Sequence, residues 1–312
     1  MKIYSSVNHS SRSDCVVALG CFDGVHIGHA KVISTAREIA DHLGCACAVW
    51  TFDEPPRNYF IKNGVPLITD QKEKEELIRS LGVDKLISVP FTRETARISA
   101  EDFFENILVN RLRAVHIVCG FNYTFGAQGL GNEKMLEKLC KEKGIGFTIV
   151  PAVSISGVTA SSSAIRDALT EGDTELAMSL LGRPHSIRTV VISGQRLGRR
   201  LGFPTLNQEF PTGRLVPKKG VYASRITVDE SKKTYFGITN VGIRPTVGGT
   251  SLFAETNIFD FSGDLYGRKV KVEFLKFLRD ERKFPTLTLL TEQIEKDVQT
   301  AKEYLKIFNE EA

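Results

Sequence analysis

The sequence predicts an α/β protein of two domains: an N-terminal doubly wound parallel-sheet domain and a C-terminal antiparallel β-barrel that ends in a helix. The chain has 312 residues, a length typical of about two domains. Strand-like apolar runs alternate with amphipathic runs over residues 15–151, as in βαβ units. Beyond residue 186, short alternating strands separated by Gly and Pro turns favour an antiparallel barrel or sandwich. Gly182-Arg183-Pro184 breaks the pattern, so we expect domains 1–183 and 184–312.

The individual elements follow from the spacing of the apolar residues, which recur at three and four in helices and run together or alternate in strands. The predicted N-terminal strands are 15–19, 45–52, 84–90, 115–119 and 146–151. The predicted helices between and after them are 30–43, one starting at Asp70, 99–113, 133–143 and 173–181. The predicted C-terminal elements are strands 189–192, 221–228, 235–241, 253–259 and 270–277, and a helix over 288–308.

The composition is that of an ordinary globular protein, with 42% hydrophobic and 25% charged residues. A net charge of +4 suits anionic ligands but lacks the concentrated basic patch of a nucleic-acid-binding protein. Six cysteines without a signal-peptide pattern indicate reduced thiols. No apolar run approaches the roughly 20 residues of a membrane span. We therefore expect a cytoplasmic protein with no nucleic-acid or membrane partner, for which weak self-association is possible.

The clearest chemistry lies between the first strand and the first helix, in Gly20-Cys21-Phe22-Asp23-Gly24-Val25-His26-Ile27-Gly28-His29. Such a junction presents backbone N–H groups and a helix dipole to an anion. His26 and His29 are three residues apart, so within a first helical turn they would share one face. Two imidazoles beside a phosphate site indicate stabilisation of negative charge as a phosphoryl bond breaks. A zinc site is disfavoured, because no third and fourth ligands stand at metal spacing.

Two later stretches would lie at the same sheet edge, where ligands bind in such folds. The segment 120–126 follows a predicted strand and indicates a flexible loop whose exposed aromatic residues could cradle a planar ligand. Ser161-Ser162-Ser163-Ala164-Ile165-Arg166 combines helix-capping hydroxyls with an arginine that could hold phosphate. Standing alone, these stretches would be explained by an ordinary surface loop and by simple capping.

The C-terminal half has a dense motif of its own over residues 194–207. Its glycines and arginines could bind phosphates through backbone N–H groups, although a solvated basic turn is the ordinary alternative. Thr205 and Asn207 are two apart on a strand, so their oxygen atoms share one face and could hold Mg²⁺. Glu255 lies on a later apolar strand, where a carboxylate has either a structural partner or a catalytic task.

Together these motifs resemble the bifunctional riboflavin kinase/FMN adenylyltransferase family over almost the whole chain. The first motif matches the G-x-F-D-G-x-H-x-G-H signature of nucleotidyltransferases related to the HIGH-motif enzymes. Residues 198–207 match G-R-x-L-G-F-P-T-x-N, and residues 260–267 match D-F-x-G-D-L-Y-G. The resemblance implies that the barrel phosphorylates riboflavin to FMN with ATP. It also implies that the N-terminal nucleotidyltransferase domain joins FMN to AMP from ATP, which yields FAD and pyrophosphate.

The resemblance implies roles for individual residues as well. Glu255 would be the base for the ribityl hydroxyl, and His26 and His29 would stabilise charge during adenylyl transfer. Thr205 and Asn207 would hold Mg²⁺ together with the ATP phosphates. The residues expected to contact the flavin are Arg279 and, from its aromatic character alone, Phe125. The residues expected to contact ATP or its phosphates are Gly20, Phe22, Asp23, Gly28, Asn122, Ser161, Ser162, Arg166, Gly194, Arg199, Gly202, Thr205 and Asn207.

One loop departs from the family pattern. Many members read T-F-D-P-H-P after the second strand, whereas this chain reads Thr51-Phe52-Asp53-Glu54-Pro55-Pro56 and has no histidine there. The first alternative is therefore a riboflavin kinase with a weak or silent adenylyltransferase domain. A second is a flavin-binding regulatory protein that contacts RNA through its arginines at 196–200. A third, a transferase for a pantetheine or nicotinamide phosphate acceptor, would explain the first domain only.

Overall fold

The computed structural model describes residues 1–61, 64–193, 198, 202–246 and 249–311. The chain forms two compact units, Met1–Ser162 and Ser163–Ala312. The predicted boundary after Arg183, which concerns the two functional modules, stays a prediction. In the described part of the chain, no helix combines the length and the apolar character needed to cross a membrane.

The first unit is built around a six-stranded parallel sheet. Its strands β1 to β10 span Lys2–Tyr4, Cys15–Leu19, Ala46–Phe52, Lys85–Val89, Ala114–Gly120, Thr124–Phe125, Gly131–Asn132, Gly146–Val150, Ser154–Ile155 and Val158–Thr159. Its helices α1 to α5 span Ile27–Leu43, Arg57–Phe60, Gln71–Ser80, Ala100–Asp102 and Glu133–Lys143. The order of the main sheet is β1-β4-β3-β2-β5-β8, and all neighbours are parallel.

This order confirms the predicted doubly wound sheet and fixes its switch point. From β2 the chain proceeds to β3 and β4 on one side, then to β5 and β8 on the other. Because helices cover both faces of the sheet, β2 is apolar on both of its sides. Cys15, Val17 and Leu19 belong to one core cluster. Val16 and Ala18 enter the other. Ligands of such folds bind beyond the carboxyl ends of the strands at the switch point, here between β2 and β5.

The predicted helix 99–113 is only partly an α-helix. After α4, residues Phe103–Arg111 form a π-helix, with the N–H of Leu112 bonded to the carbonyl oxygen of Ile107. Pairs of buried residues four apart, Phe103 with Ile107 and Phe104 with Leu108, pack under the sheet. Apolar spacing alone does not distinguish an α-helix from this wider helix, because both repeat near four residues.

The second unit is an antiparallel barrel with flanking helices. Its strands β11 to β16 span His185–Val190, Thr205–Glu209, Gly220–Val228, Thr234–Thr246, Gly249–Ile258 and Lys269–Arg279. Its helices α6 to α8 span Ser162–Glu171, Thr174–Leu181 and Leu287–Glu311. The sheet order is β11-β16-β13-β14-β15-β12, and its two ends meet where the N–H of Ile192 donates to the carbonyl oxygen of Asn207 at 2.9 Å. The predicted barrel and its terminal helix are confirmed.

Two apolar clusters hold the barrel unit together. The interior is filled by alternating strand residues such as Tyr222, Ile226 and Phe274. On the outer face, Val221 and Ile238 belong to a second cluster that includes Ala301 and Leu305 of α8. Helix α8 therefore packs one stripe against the barrel wall, as the spacing of its apolar residues predicts.

Candidate active sites

The histidine pair lies at the switch point of the parallel sheet. Helix α1 begins three residues earlier than predicted, so His26 is its N-cap and His29 lies in its first turn. The Nδ1 atom of His26 accepts a hydrogen bond from the backbone N–H of His29 at 3.3 Å. The two rings stack with centroids 3.6 Å apart. The structure therefore brings both predicted histidines together at the carboxyl end of β2.

Glycines beside the histidine pair make room for aromatic rings. Phe22 is buried and meets the His29 ring edge-on, with centroids 5.2 Å apart. A Cβ at Gly20 would lie 2.7 Å from the Phe22 ring, and a Cβ at Gly28 would lie 3.1 Å from the His26 ring. A side chain at either position would therefore displace a ring of this group.

The His29 side chain is neutral at physiological pH. Burial lowers its pKa well below the ordinary value, and the charges of His26 and Lys74 lower it further. Within the described part of the chain, its buried Nδ1 atom has no hydrogen-bond partner. Because Nδ1 of His26 accepts a bond from His29, the proton of a neutral His26 ring resides on Nε2. His29 can thus present a neutral N–H donor to a phosphate oxygen beside the His26 ring.

Asp23 connects the loop of residues 20–29 (the signature loop) to the segment that precedes α3. Its Oδ1 atom accepts hydrogen bonds from the backbone N–H groups of Ile68 at 3.0 Å and Thr69 at 3.4 Å. Ser162 donates from its hydroxyl to the backbone carbonyl oxygen of Asp23 at 2.9 Å. Ser161 is half-buried, and Arg166 is buried within α6 of the second unit. Their predicted phosphate contacts stay predictions.

The loop after β5 differs from the predicted cradle of exposed aromatic residues. Asn122 is exposed and Phe121 is 45% exposed. Phe125, however, is only 6% exposed, and its ring packs near those of Phe103 and Tyr123, at 5.7 and 5.8 Å. Phe125 belongs to the core cluster of the unit because β6 turns its ring inward. Its predicted contact with the flavin stays a prediction.

Exposed aromatic residues, which were not predicted from the sequence, instead lie after β3 and β4. Tyr59 and Phe60 on α2 are 52% and 70% exposed. Both contact the ring of Phe91, at 5.6 and 5.8 Å between centroids, and Phe91 contacts Phe52 at 5.0 Å. Aromatic residues directly after apolar strands are the sequence signal that could have identified this patch.

The polar site of the barrel is set by strand register. Asn207 of β12 pairs with Glu255 of β15, which also pairs with Asn240 of β14. Thr205 pairs with Asn257 in the same way. Direct cross-strand partners point to the same face of a sheet. The predicted Thr205, Asn207 and Glu255 therefore lie together on the outer face of the barrel wall.

Two cavities lie beside strand β12, and Thr205 lines both of them. The first cavity is also lined by Asn240, Glu255, Asn257 and Arg279, together with apolar residues of the wall and of α8. The second is formed mainly by residues 204–206 and the loop 261–266. Thr205 is thus shared by the two cavities. The Glu255 carboxylate lines the first cavity.

Arg279 is fixed by a buried ion pair. Its Nε and Nη2 atoms both contact the carboxylate of Asp297 on α8, at 2.7 to 3.0 Å. The two side chains are only 14% and 5% exposed. Gln293 also donates to Asp297, at 2.8 Å. The structure places the predicted Arg279 in the first cavity and shows that a residue of α8, not predicted from the sequence, holds it there.

The predicted phosphate loop of the barrel unit is described only in part. Gly194 and Arg199 lie outside the described residues. Gly198 lines the first cavity, and Gly202 is an exposed turn residue with φ of +85°. The predicted phosphate contacts of Gly194, Arg199 and Gly202 stay predictions.

Comparison with known proteins identifies two modules. A family model described as FAD synthetase matches residues 8–164, and one described as riboflavin kinase matches residues 181–305. A bifunctional riboflavin kinase/FMN adenylyltransferase of Bacillus subtilis is 40% identical over 93% of this chain and 92% of its own length. The corresponding protein of Haemophilus influenzae is 37% identical over 97% of this chain and 99% of its own.

A solved structure has the same fold over nearly its whole length. It is described as a macrolide-efflux protein from Streptococcus pneumoniae, and it matches with a TM-score of 0.87 and 31% identity. The match covers 95% of this chain and 97% of that one. The presence of both modules supports the two-step enzyme over a kinase with a silent first domain. The chain belongs to the bifunctional riboflavin kinase/FMN adenylyltransferase family.

Proposed function

We propose that the barrel unit phosphorylates riboflavin to FMN and that the parallel-sheet unit adenylylates FMN to FAD, with ATP as the second substrate of both steps. Two polar sites, one described within each unit, support this assignment. We further propose that the functional modules comprise residues 1–183 and 184–312. Ser161, Ser162, Arg166 and Asn122 would contact phosphates of the adenylylation site, a role supported by the family resemblance alone.

The position of Thr205 between two cavities is the observation that carries the kinase assignment. Phosphoryl transfer requires the accepting hydroxyl of one substrate to lie in line with the γ-phosphate of the other. Riboflavin would occupy the first cavity, beside Glu255, and the nucleotide would occupy the second. The Glu255 carboxylate would take the proton of the terminal ribityl hydroxyl. The hydroxyl oxygen then bonds to the γ-phosphorus, the bond from that phosphorus to ADP breaks, and ADP leaves.

The donor set of the kinase site suits a hard cation. The Thr205 hydroxyl and the Asn207 amide offer oxygen ligands on one face of β12, which Mg²⁺ prefers. Among the described residues, no cluster of three or more His, Cys, Asp or Glu side chains could hold a metal. The ATP phosphates would therefore complete the coordination. When bound, Mg²⁺ neutralises charge on the transferred phosphoryl group.

In the first unit, the histidine pair would assist adenylyl transfer. An oxygen of the FMN phosphate bonds to the α-phosphorus of ATP, the bond from that phosphorus to the β-phosphate breaks, and pyrophosphate leaves. The rings of His26 and His29 can donate N–H groups to the oxygens on which charge increases. The exposed patch of Tyr59, Phe60 and Phe91 offers aromatic surface for the isoalloxazine ring at the same sheet edge.

We propose that the enzyme works in the cytoplasm without nucleic-acid or membrane partners, and that any self-association is weak. All six cysteines are free, and four of them are buried as small apolar side chains. This usage is typical of a reducing compartment.

The proposed function is tested by incubating purified protein with riboflavin, ATP and Mg²⁺, and by separating the flavins chromatographically over time. We expect FMN to appear first and FAD to accumulate at its expense. FMN without FAD would contradict the role of the first unit. The absence of both products would contradict the two-step function as a whole.

A further inference from the structure

Lys74 of α3 is a buried cation that the proposed mechanism does not use. Its residue is 4% exposed, although lysines are almost never fully buried without a partner. Its Nζ atom donates to the backbone carbonyl oxygen of Phe52 at 2.6 Å. Within the described residues, it forms no ion pair with a carboxylate. An ammonium group has three N–H donors, so this one retains charge and donor capacity for another group.

Hydrogen bonds place Lys74 beside the signature loop. The loop residue Gly24 donates from its backbone N–H to the Thr69 hydroxyl at 3.1 Å, directly before the N-cap of α3. Lys74 follows in the first turn of that helix. Phe52, which it contacts, ends β3, and the neighbouring Thr51 donates to the carbonyl oxygen of Cys21 in the loop at 2.9 Å. The ammonium is thus held at the sheet edge that carries the histidine pair.

Resting on the proposed adenylyl transfer, we infer that Lys74 binds a phosphate oxygen of FMN or ATP at this site and supplies positive charge there. Taking an ammonium out of water is costly unless an anion compensates it. In the same low-polarity setting its attraction to phosphate is stronger than at the surface.

The charge of Lys74 changes with pH near pH 8. Burial lowers its pKa to about 8, while Cys21, Asp23, Asp53 and Glu75 act in the opposite direction. Lys74 is therefore charged below pH 8 and loses its charge as the pH rises through 8. FAD formation from FMN should fall over the same interval.

The test compares three variants in the full-length chain. Lys74→Met removes the charge but keeps a long apolar side chain, Lys74→Arg keeps the charge, and Lys72→Met alters an exposed lysine of the same helix. For Lys74→Met we expect kcat/KM for FAD formation from FMN to fall at least about tenfold, the effect of a charge-assisted hydrogen bond. Lys74→Arg should retain most of the activity, and Lys72→Met all of it. FMN formation from riboflavin, measured in every variant, reports on the intact barrel unit.

Three readouts distinguish phosphate binding from a structural role. Lys74→Met removes a buried charge together with its hydrogen bond to the Phe52 carbonyl oxygen, so the melting temperature should change only slightly. The alkaline fall near pH 8 should be present in the wild type and absent in Lys74→Arg. A higher KM for FMN would assign the contact to the FMN phosphate, a higher KM for ATP to the triphosphate, and a lower kcat alone to the reacting α-phosphoryl group.

Wild-type rates in Lys74→Met would overturn the inference. So would equally slow Lys74→Met and Lys74→Arg variants with lowered melting temperatures, because Lys74 would then only support the fold. If the wild-type protein itself forms no FAD from FMN, the proposed adenylyl transfer fails, and this inference fails with it. The wild-type assay therefore separates the two kinds of failure.

Discussion

Asn207 and Glu255 are direct partners across β12 and β15, so an amide oxygen and a carboxylate leave the same face of the barrel wall side by side. Residues separated by almost fifty positions thus form one site through antiparallel register. Asn207 is 3% exposed, while Glu255 lines the first cavity. This pairing unites the proposed metal ligand with the proposed base.

Asn207→Ala should impair the kinase step alone. Because the variant removes a proposed oxygen ligand of Mg²⁺, we expect kcat/KM for ATP in FMN formation to fall at least about tenfold. FAD formation from FMN should be unchanged. Steady-state assays of the two steps measure this, with Glu209→Ala, an exposed position of the same strand, as the control. Equal kinase kinetics in both variants would refute the ligand role.

Asp297→Ala should destabilise the barrel unit and weaken riboflavin binding. It leaves the buried Arg279 guanidinium without its partner, which costs about 3–5 kcal/mol of unfolding free energy. The double variant Arg279→Met with Asp297→Leu should recover most of that stability, because an apolar pair replaces the ions. Its KM for riboflavin should nevertheless stay raised, because Arg279 lines the cavity. Urea unfolding and riboflavin kinetics measure both effects.

Recovery of both stability and riboflavin KM in the double variant would contradict a ligand-binding role for Arg279. Failure to recover stability would instead show that the ion pair has no apolar substitute at this position.

The stability of the chain should fall on acidification because of His185. Burial, with the nearby Arg214 charge, lowers its pKa from 6.5 to about 3, and its Nε2 atom lies 3.3 Å from the carbonyl oxygen of Leu215. Below pH 6.5 the unfolded chain binds a proton that the folded chain excludes. Each pH unit between 6.5 and 3 therefore costs about 1.4 kcal/mol of unfolding free energy.

Unfolding by urea at pH 7 and pH 5 measures this effect. His185→Gln keeps a donor for Leu215 but does not titrate, so its loss of stability between the two pH values should be smaller by about 2 kcal/mol. An identical loss in the two proteins would contradict a neutral, buried His185.

The sequence was informative where apolar periodicity and local motifs decide structure. The run from Cys15 to Leu19 predicts a strand buried on both faces, and the two core clusters confirm it. His26 and His29 could be paired from their spacing, because an N-cap and a first helical turn bring such residues together. The stripe that includes Ala301 and Leu305 likewise predicts how α8 packs.

Strand register and the burial of individual side chains could not be predicted from the sequence in the same way. Nothing local in the sequence indicates that Asn207 faces Glu255, since strand pairing depends on the whole barrel. Asp297 looks like one of many acidic residues on an amphipathic helix, yet it holds Arg279. Lys74 looks like a solvated helix residue between glutamates, and only the packing of α3 against β3 buries it. Phe125 was expected to be exposed because its loop is rich in glycine, but β6 turns the ring into the core.

The most direct test of two independent sites uses Glu255→Gln and His29→Ala in the same chromatographic assay. Glu255→Gln should slow FMN formation from riboflavin by about 10² to 10⁴ and leave FAD formation from added FMN intact. His29→Ala should do the reverse, forming FMN at the wild-type rate but losing about 10² or more in FAD formation. This crossed pattern is what the two-site account predicts. If either variant slows both steps to the same extent, or neither step, the assignment of one reaction to each unit is wrong.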